Sequence, residues 1–140
     1  MEYRHYDNKY VVRLDPDEEI ISCIRELCLK EQIVCAEVKG LGATNNFTVG
    51  VYCLASHEFM PKQFQEDAEI VSLWGTITLN KGELYHHLHM SCSLTDMSVV
   101  GGHLLEAYIS GTCEIVIDVM AGLIDRRVNE RTGLNEMSFD

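Results

Sequence analysis

Glu69-Ile70-Val71-Ser72-Leu73-Trp74-Gly75-Thr76-Ile77-Thr78-Leu79 runs into Asn80-Lys81-Gly82, and then into Glu83-Leu84-Tyr85-His86-His87-Leu88-His89-Met90-Ser91-Cys92-Ser93-Leu94. The two flanking runs are rich in β-branched and aromatic residues, and the three residues between them suit a tight connection. This is the pattern of a β-hairpin. Three further β-rich runs are predicted: Ile33–Val38, ended by Gly40-Leu41-Gly42, then Asn46–Leu54, and Glu114–Met120. The segment His103–Ser110 is ambiguous, because Leu104-Leu105-Glu106-Ala107 also suits a helical turn. The polar stretch from Arg126 reads as an edge strand or a tail.

Before these runs, Val11-Val12-Arg13-Leu14 forms a short strand candidate that leads into Asp15-Pro16-Asp17-Glu18. Asp15 as N-cap, Pro16 at the first helical position and Glu18 three residues after the cap make a capping-box-like pattern. Ile20, Ile24, Leu27 and Cys28 then recur at helical spacing, predicting a helix to about Lys30. One helix with several strands joined mostly by short turns reads as α+β, a largely antiparallel β-sheet domain with one main helix. With 140 residues and no repeat, low-complexity tract or linker, a single domain over 1–140 is expected.

Charge and cysteine usage narrow the function. No apolar run approaches the roughly 20 residues that span a bilayer, and the N-terminus lacks an apolar signal core, so a cytoplasmic chain without a membrane partner is expected. The six cysteines contain no C-x-x-C pair and mostly sit in apolar stretches, which suits reduced core thiols. The formal net charge is −11, and Gly82–Asp125 contains no Lys or Arg. Basic residues are otherwise scattered, apart from Arg126, Arg127 and Arg131. Direct phosphate contact is therefore disfavoured.

Histidines carry the one distinctive chemical signal. Side chains alternate along a strand, so His87 and His89 share a face while His86 points the other way. His103 follows Gly101-Gly102, where the missing side chains permit a bend or a close backbone approach. Three neutral imidazoles with an open position are an arrangement found at catalytic zinc sites. An H-x-H pair by itself marks a polar strand face just as well, and His5 and His57 lie in polar, surface-like surroundings.

At these residues the sequence resembles the PPC (plants and prokaryotes conserved, DUF296) domain. The likeness rests on Gly40-Leu41-Gly42-Ala43, Asn46-Phe47-Thr48, Glu69–Ile77, His87-Leu88-His89-Met90-Ser91, Gly101-Gly102-His103-Leu104 and Arg131-Thr132-Gly133-Leu134. It implies an α/β domain that assembles as a homotrimer, whose prokaryotic members are usually described as DNA-binding. The AT-hook that precedes the domain in plants does not occur in this sequence, and three copies at −11 each would carry −33. The PPC fold is also similar to that of acetolactate decarboxylase, a zinc enzyme with its own His-x-His and distal His ligands; the analogy transfers no activity.

The resulting expectation is a homotrimeric metal-binding module, with zinc or another divalent ion on His87, His89 and His103. A protein partner is allowed for, and DNA association is expected to be indirect. The residues assign no catalytic role, so a binding module is expected rather than an enzyme. The alternative is a zinc metalloenzyme, for which Glu69, Asp96, Glu106 and Glu114 are the candidate acid/base groups.

Overall fold

The computed structural model describes residues 1–139. The elements run β1 (Glu2–Tyr6), β2 (Lys9–Leu14), α1 (Ile20–Glu31), β3 (Ala36–Cys53), β4 (Glu58–Phe64), β5 (Ala68–Asn80), β6 (Glu83–Ser93), β7 (Val99–Val119), β8 (Asp125–Val128) and β9 (Asn135–Ser138). Seven strands form one antiparallel sheet in the order β1-β2-β7-β6-β5-β3-β4. A further ladder between β7 and β3 closes β3, β5, β6 and β7 on themselves. The expected α+β class with one main helix is what the chain adopts, and no helix among the described residues is long and apolar enough to cross a membrane.

The apolar spacing of α1 holds, with Ile20, Ile24, Leu27 and Cys28 buried against the sheet. Its start differs from the capping-box reading. Asp17 has φ 70, a left-handed conformation no helix can begin from. Asp17 N–H donates to the Ile109 carbonyl (2.9 Å) and Ile109 N–H to the Glu18 carbonyl (3.0 Å), which ties this segment to β7. Half of the predicted box survives, because the Glu18 carboxylate accepts from Asp15 N–H at 2.8 Å, but it closes a turn. The cap is Glu19, whose carboxylate accepts from Ile21 N–H and Ser22 N–H and, across the fold, from Ala107 N–H. Long-range pairing therefore moves the helix start by four residues. At the other end Gln32 adopts a left-handed conformation and donates to the Cys28 carbonyl.

The predicted hairpin forms, with Asn80 opposite Glu83 across Lys81 (φ 55) and Gly82 (φ 82). Two positive φ values in a two-residue loop match the twist of the strands. Gly40-Leu41-Gly42 does not end a strand. The runs predicted as Ile33–Val38 and Asn46–Leu54 belong largely to one 18-residue strand, β3, with its pairing register shifted between Gly40 and Gly42. A Cβ on Gly42 would lie 2.4 Å from the Thr112 carbonyl, so glycine serves there to let β3 press against β7. The ambiguous His103–Ser110 segment is strand, continuous with Glu114–Val119 in the 21-residue β7. From Asp125 the chain forms the small β8–β9 hairpin, and β1 and β4 are strands that the sequence reading passed over.

The inward sheet face and α1 make the core, in which Phe47, Leu14, Ile77, Leu88 and Ile117 are almost fully enclosed. All six cysteines are free thiols, four of them buried. Burial pushes the Cys28, Cys92 and Cys113 thiols up to about 12, so they remain protonated.

Candidate metal centre

Core packing decides which side of β6 meets solvent. Leu88, Met90 and Cys92 are buried in the core, so the alternate positions Tyr85, His87, His89 and Ser91 face outward. His89 lies directly opposite His103 in the β6–β7 ladder, while β5 places Thr76 opposite His87 and Trp74 opposite His89. The Gly101-Gly102 step acts through close approach and not through a bend. Neither glycine has a positive φ, yet a Cβ on Gly101 would stand 2.7 Å from the Met90 carbonyl and one on Gly102 would stand 2.4 Å from the Gly50 carbonyl. Both neighbouring strands can then pack tightly against the backbone that carries His103.

The three rings come together. Their centroids are 5.2 Å apart for His87 and His89, 5.4 Å for His87 and His103, and 5.5 Å for His89 and His103. One nitrogen from each ring lies within 4.8 Å of the others. Tetrahedral zinc at about 2.0–2.1 Å from each nitrogen needs nitrogens about 3.3 Å apart. Modest rotation of the rings supplies the difference, so the donor set fits a divalent ion with one position open to a ligand.

Electrostatics keep two of the donors unprotonated. Burial, then the positive charge of Arg126 and the other two imidazoles, lowers the pKa of His87 to about 4. Burial and His89 also lower that of His103. A neutral ring has the lone pair that a metal needs. His86, on the inward face, has its pKa lowered by burial and by Arg25, and its Nε2 is buried without a hydrogen-bond partner.

None of the four carboxylates considered as acid/base groups joins this cluster. Glu69 lines a separate shallow cavity of about 390 Å³ with Asp67, Ser93, Thr95 and Ser110. The Asp96 carboxylate accepts from Ser98 N–H in the β6–β7 turn, Glu106 accepts from Thr48 Oγ1, and Glu114 lies opposite Arg13. His5 stacks on Tyr10 at 4.3 Å and His57 contacts the Tyr52 hydroxyl, both at the surface.

Two flanking groups escaped the sequence reading. Phe59 of β4 lies across Gly50 and meets His103 edge-on at 5.9 Å. On the opposite flank β8 brings Arg126 over the Tyr85 ring, 4.5 Å from its centroid, with Nε donating to Thr78 Oγ1. No local pattern marks either residue, since each arrives from a distant strand.

With this geometry in hand, comparison with known proteins is decisive about ancestry. The family model of the Plants and Prokaryotes Conserved domain matches residues 1–121. The chain belongs to this family. Among solved structures, a protein from Bacteroides thetaiotaomicron, provisionally described as DNA binding, is 30% identical with a TM-score of 0.95, covering 99% of this chain and 96% of its own. A metal-containing protein from Archaeoglobus fulgidus is 26% identical with a TM-score of 0.86, covering 98% and 96%. A plant- and prokaryote-conserved protein from Pyrococcus horikoshii is 27% identical with a TM-score of 0.82, covering 96% and 93%. No curated protein matches the chain.

Proposed function

We propose that this PPC chain is a single-domain, homotrimeric module that binds one divalent metal ion, zinc by preference, through His87, His89 and His103. The observation that carries the reading is the convergence of three imidazole nitrogens within 4.8 Å, contributed by two adjacent strands. The metal-containing A. fulgidus protein of the same fold supports it. When bound, such an ion would supply Lewis acidity at its open position.

Self-association is supported by the outward face of the sheet. Leu41, Val71 and Trp74 are exposed on the adjacent strands β3 and β5, a grouping that another copy could cover. Direct DNA binding is opposed by the charge of −11 and by the use already made of the basic residues. Arg13 pairs with Glu2 and Asp15, Lys9 with Asp118 and Lys39 with Glu37, while Arg126 is buried. DNA association, where it occurs, runs through a partner protein.

Metal analysis of the purified protein, combined with sedimentation, tests the proposal. The expected result is a trimer holding one zinc per chain, with metal lost in the His87→Ala, His89→Ala and His103→Ala variants. Three folded variants that keep wild-type zinc content would remove these histidines from consideration as ligands. A stable monomer at micromolar concentration would sink the assembly.

A further inference from the structure

We propose that Arg126 is the anion-recognition group of the histidine site, so that a metal ion held there shares a small organic carboxylate with the guanidinium. This deepens the metal reading and rests on it. Arg126 is only 7% exposed. Its Nε is held by Thr78 Oγ1 at 2.8 Å, its Nη1 donates to the Asn135 carbonyl at 2.9 Å, and its plane covers Tyr85. Nη2 is buried and, among the described residues, has no hydrogen-bond partner. A buried charged donor left unmatched is costly, and its missing partner is worth seeking.

Position makes the histidine site the natural place for that partner. Thr78 pairs with Tyr85, and the next outward-facing pair along the same two strands is Thr76 with His87. At about 3.3 Å rise per residue, the groups that hold the guanidinium are thus about 7 Å along the strand from His87. The charge on Arg126 also contributes to the lowered basicity of His87. Charge balance points the same way. A divalent ion on three neutral imidazoles beside a permanent guanidinium brings together three positive charges, and no carboxylate joins the cluster to offset them.

A ligand that supplies an anion to Nη2 and an oxygen to the open metal position relieves both deficits. The site is enclosed and the chain strongly acidic, which favours a small carboxylate over a polyanion. A 2-hydroxy acid, with its carboxylate and hydroxyl oxygens on neighbouring carbons, has the required chemistry. Nη2 is closed off from bulk solvent, so the partner must be held inside the site.

The test uses full-length protein loaded with cobalt(II), whose visible spectrum reports on the metal's ligands. Lactate is the probe, with lactamide as its neutral counterpart and inorganic phosphate as a competing anion. Lactate should shift the wild-type spectrum saturably, and Arg126→Gln should weaken that response about tenfold or more while leaving cobalt stoichiometry intact. Arg126→Lys should also bind lactate less well, because it loses the planar fork; if the Gln variant does not fold, the Lys variant decides. Lactamide binding should be indifferent to either change.

A folded, cobalt-loaded Arg126→Gln protein that binds lactate as well as wild type overturns the proposal. So does a wild-type cobalt spectrum that ignores lactate, which would leave an ordered water as the partner of Nη2, or one that responds through Arg126 to phosphate alone. Failure to take up cobalt brings down the metal reading and this proposal together. The missing cobalt spectrum distinguishes that failure from loss of lactate binding.

Discussion

His86 and His87 are neighbours in sequence, but they occupy opposite sides of β6 and experience different physics. His86 points inward, in step with Leu88, Met90 and Cys92, and ends with a buried nitrogen that has no partner. His87 points outward, in step with Tyr85 and His89, and meets two other imidazoles and the charge of Arg126. The inward face is filled by apolar volume, whereas the outward face collects donors that packing does not require. Because a strand has a period of two, slipping β6 by one residue would put His86 in place of His87 and would bury polar groups throughout.

The strongest way to break this contrast is to strike the inward face alone. Leu88 sits between the two metal-site histidines of β6 and is 1% exposed. Leu88→Ala should cost about 2–5 kcal/mol of stability in urea unfolding, through lost burial and the cavity left behind. Metal stoichiometry should persist wherever the variant remains folded. A loss below about 1 kcal/mol would mean that β6 does not separate core from site as described.

A pH series in the presence of chelator sharpens the outward side. The unfolded His87 titrates near 6.5 and the folded one near 4, so between these values the unfolded chain binds the additional proton. This contribution to stability is therefore undiminished above about pH 6.5 and falls as the pH drops toward 4. The shift sets an upper bound of about 3 kcal/mol, which screening of the half-buried ring reduces to roughly 1–2 kcal/mol. His87→Gln should flatten that portion of the urea-midpoint curve; an unchanged slope would show that His87 is not the group responsible.

The smallest effect lies where the two regions are joined. The Glu19 carboxylate caps α1 and also receives Ala107 N–H from β7. Glu19→Ala should cost about 1 kcal/mol by chemical denaturation. Since the change leaves the outward face alone, zinc affinity should stay at the wild-type value. An Asp15→Ala variant, altering the cap that local pattern suggests, should leave the helix start in place, as checked by amide hydrogen exchange at Ile21 and Ser22.

Local order was legible wherever neighbours along the chain decide it. The β5–β6 hairpin, the buried stripe of α1 and the common face of His87 and His89 all follow from alternation, helical period and turn chemistry. The errors fall where distant segments compete with those signals. Gly40-Leu41-Gly42 looks like a stop, but pairing with both β5 and β7 carries the strand through it. Asp15 looks like a cap, but the bonds of Asp17 and Glu18 to Ile109 hold that segment out of the helix.

The sequence by itself determined the class of fold, the acidic surface and the three imidazoles, because composition and short-period pattern are properties of the unfolded chain as much as of the folded one. That His103 stands opposite His89, that Phe59 flanks it and that Arg126 reaches over Tyr85 was decided only by tertiary structure. Those contacts join residues separated by 14, 44 and 41 positions in the chain. No local energy specifies them, and they exist because closing β3, β5, β6 and β7 around one core fixes which outward-facing side chains become neighbours.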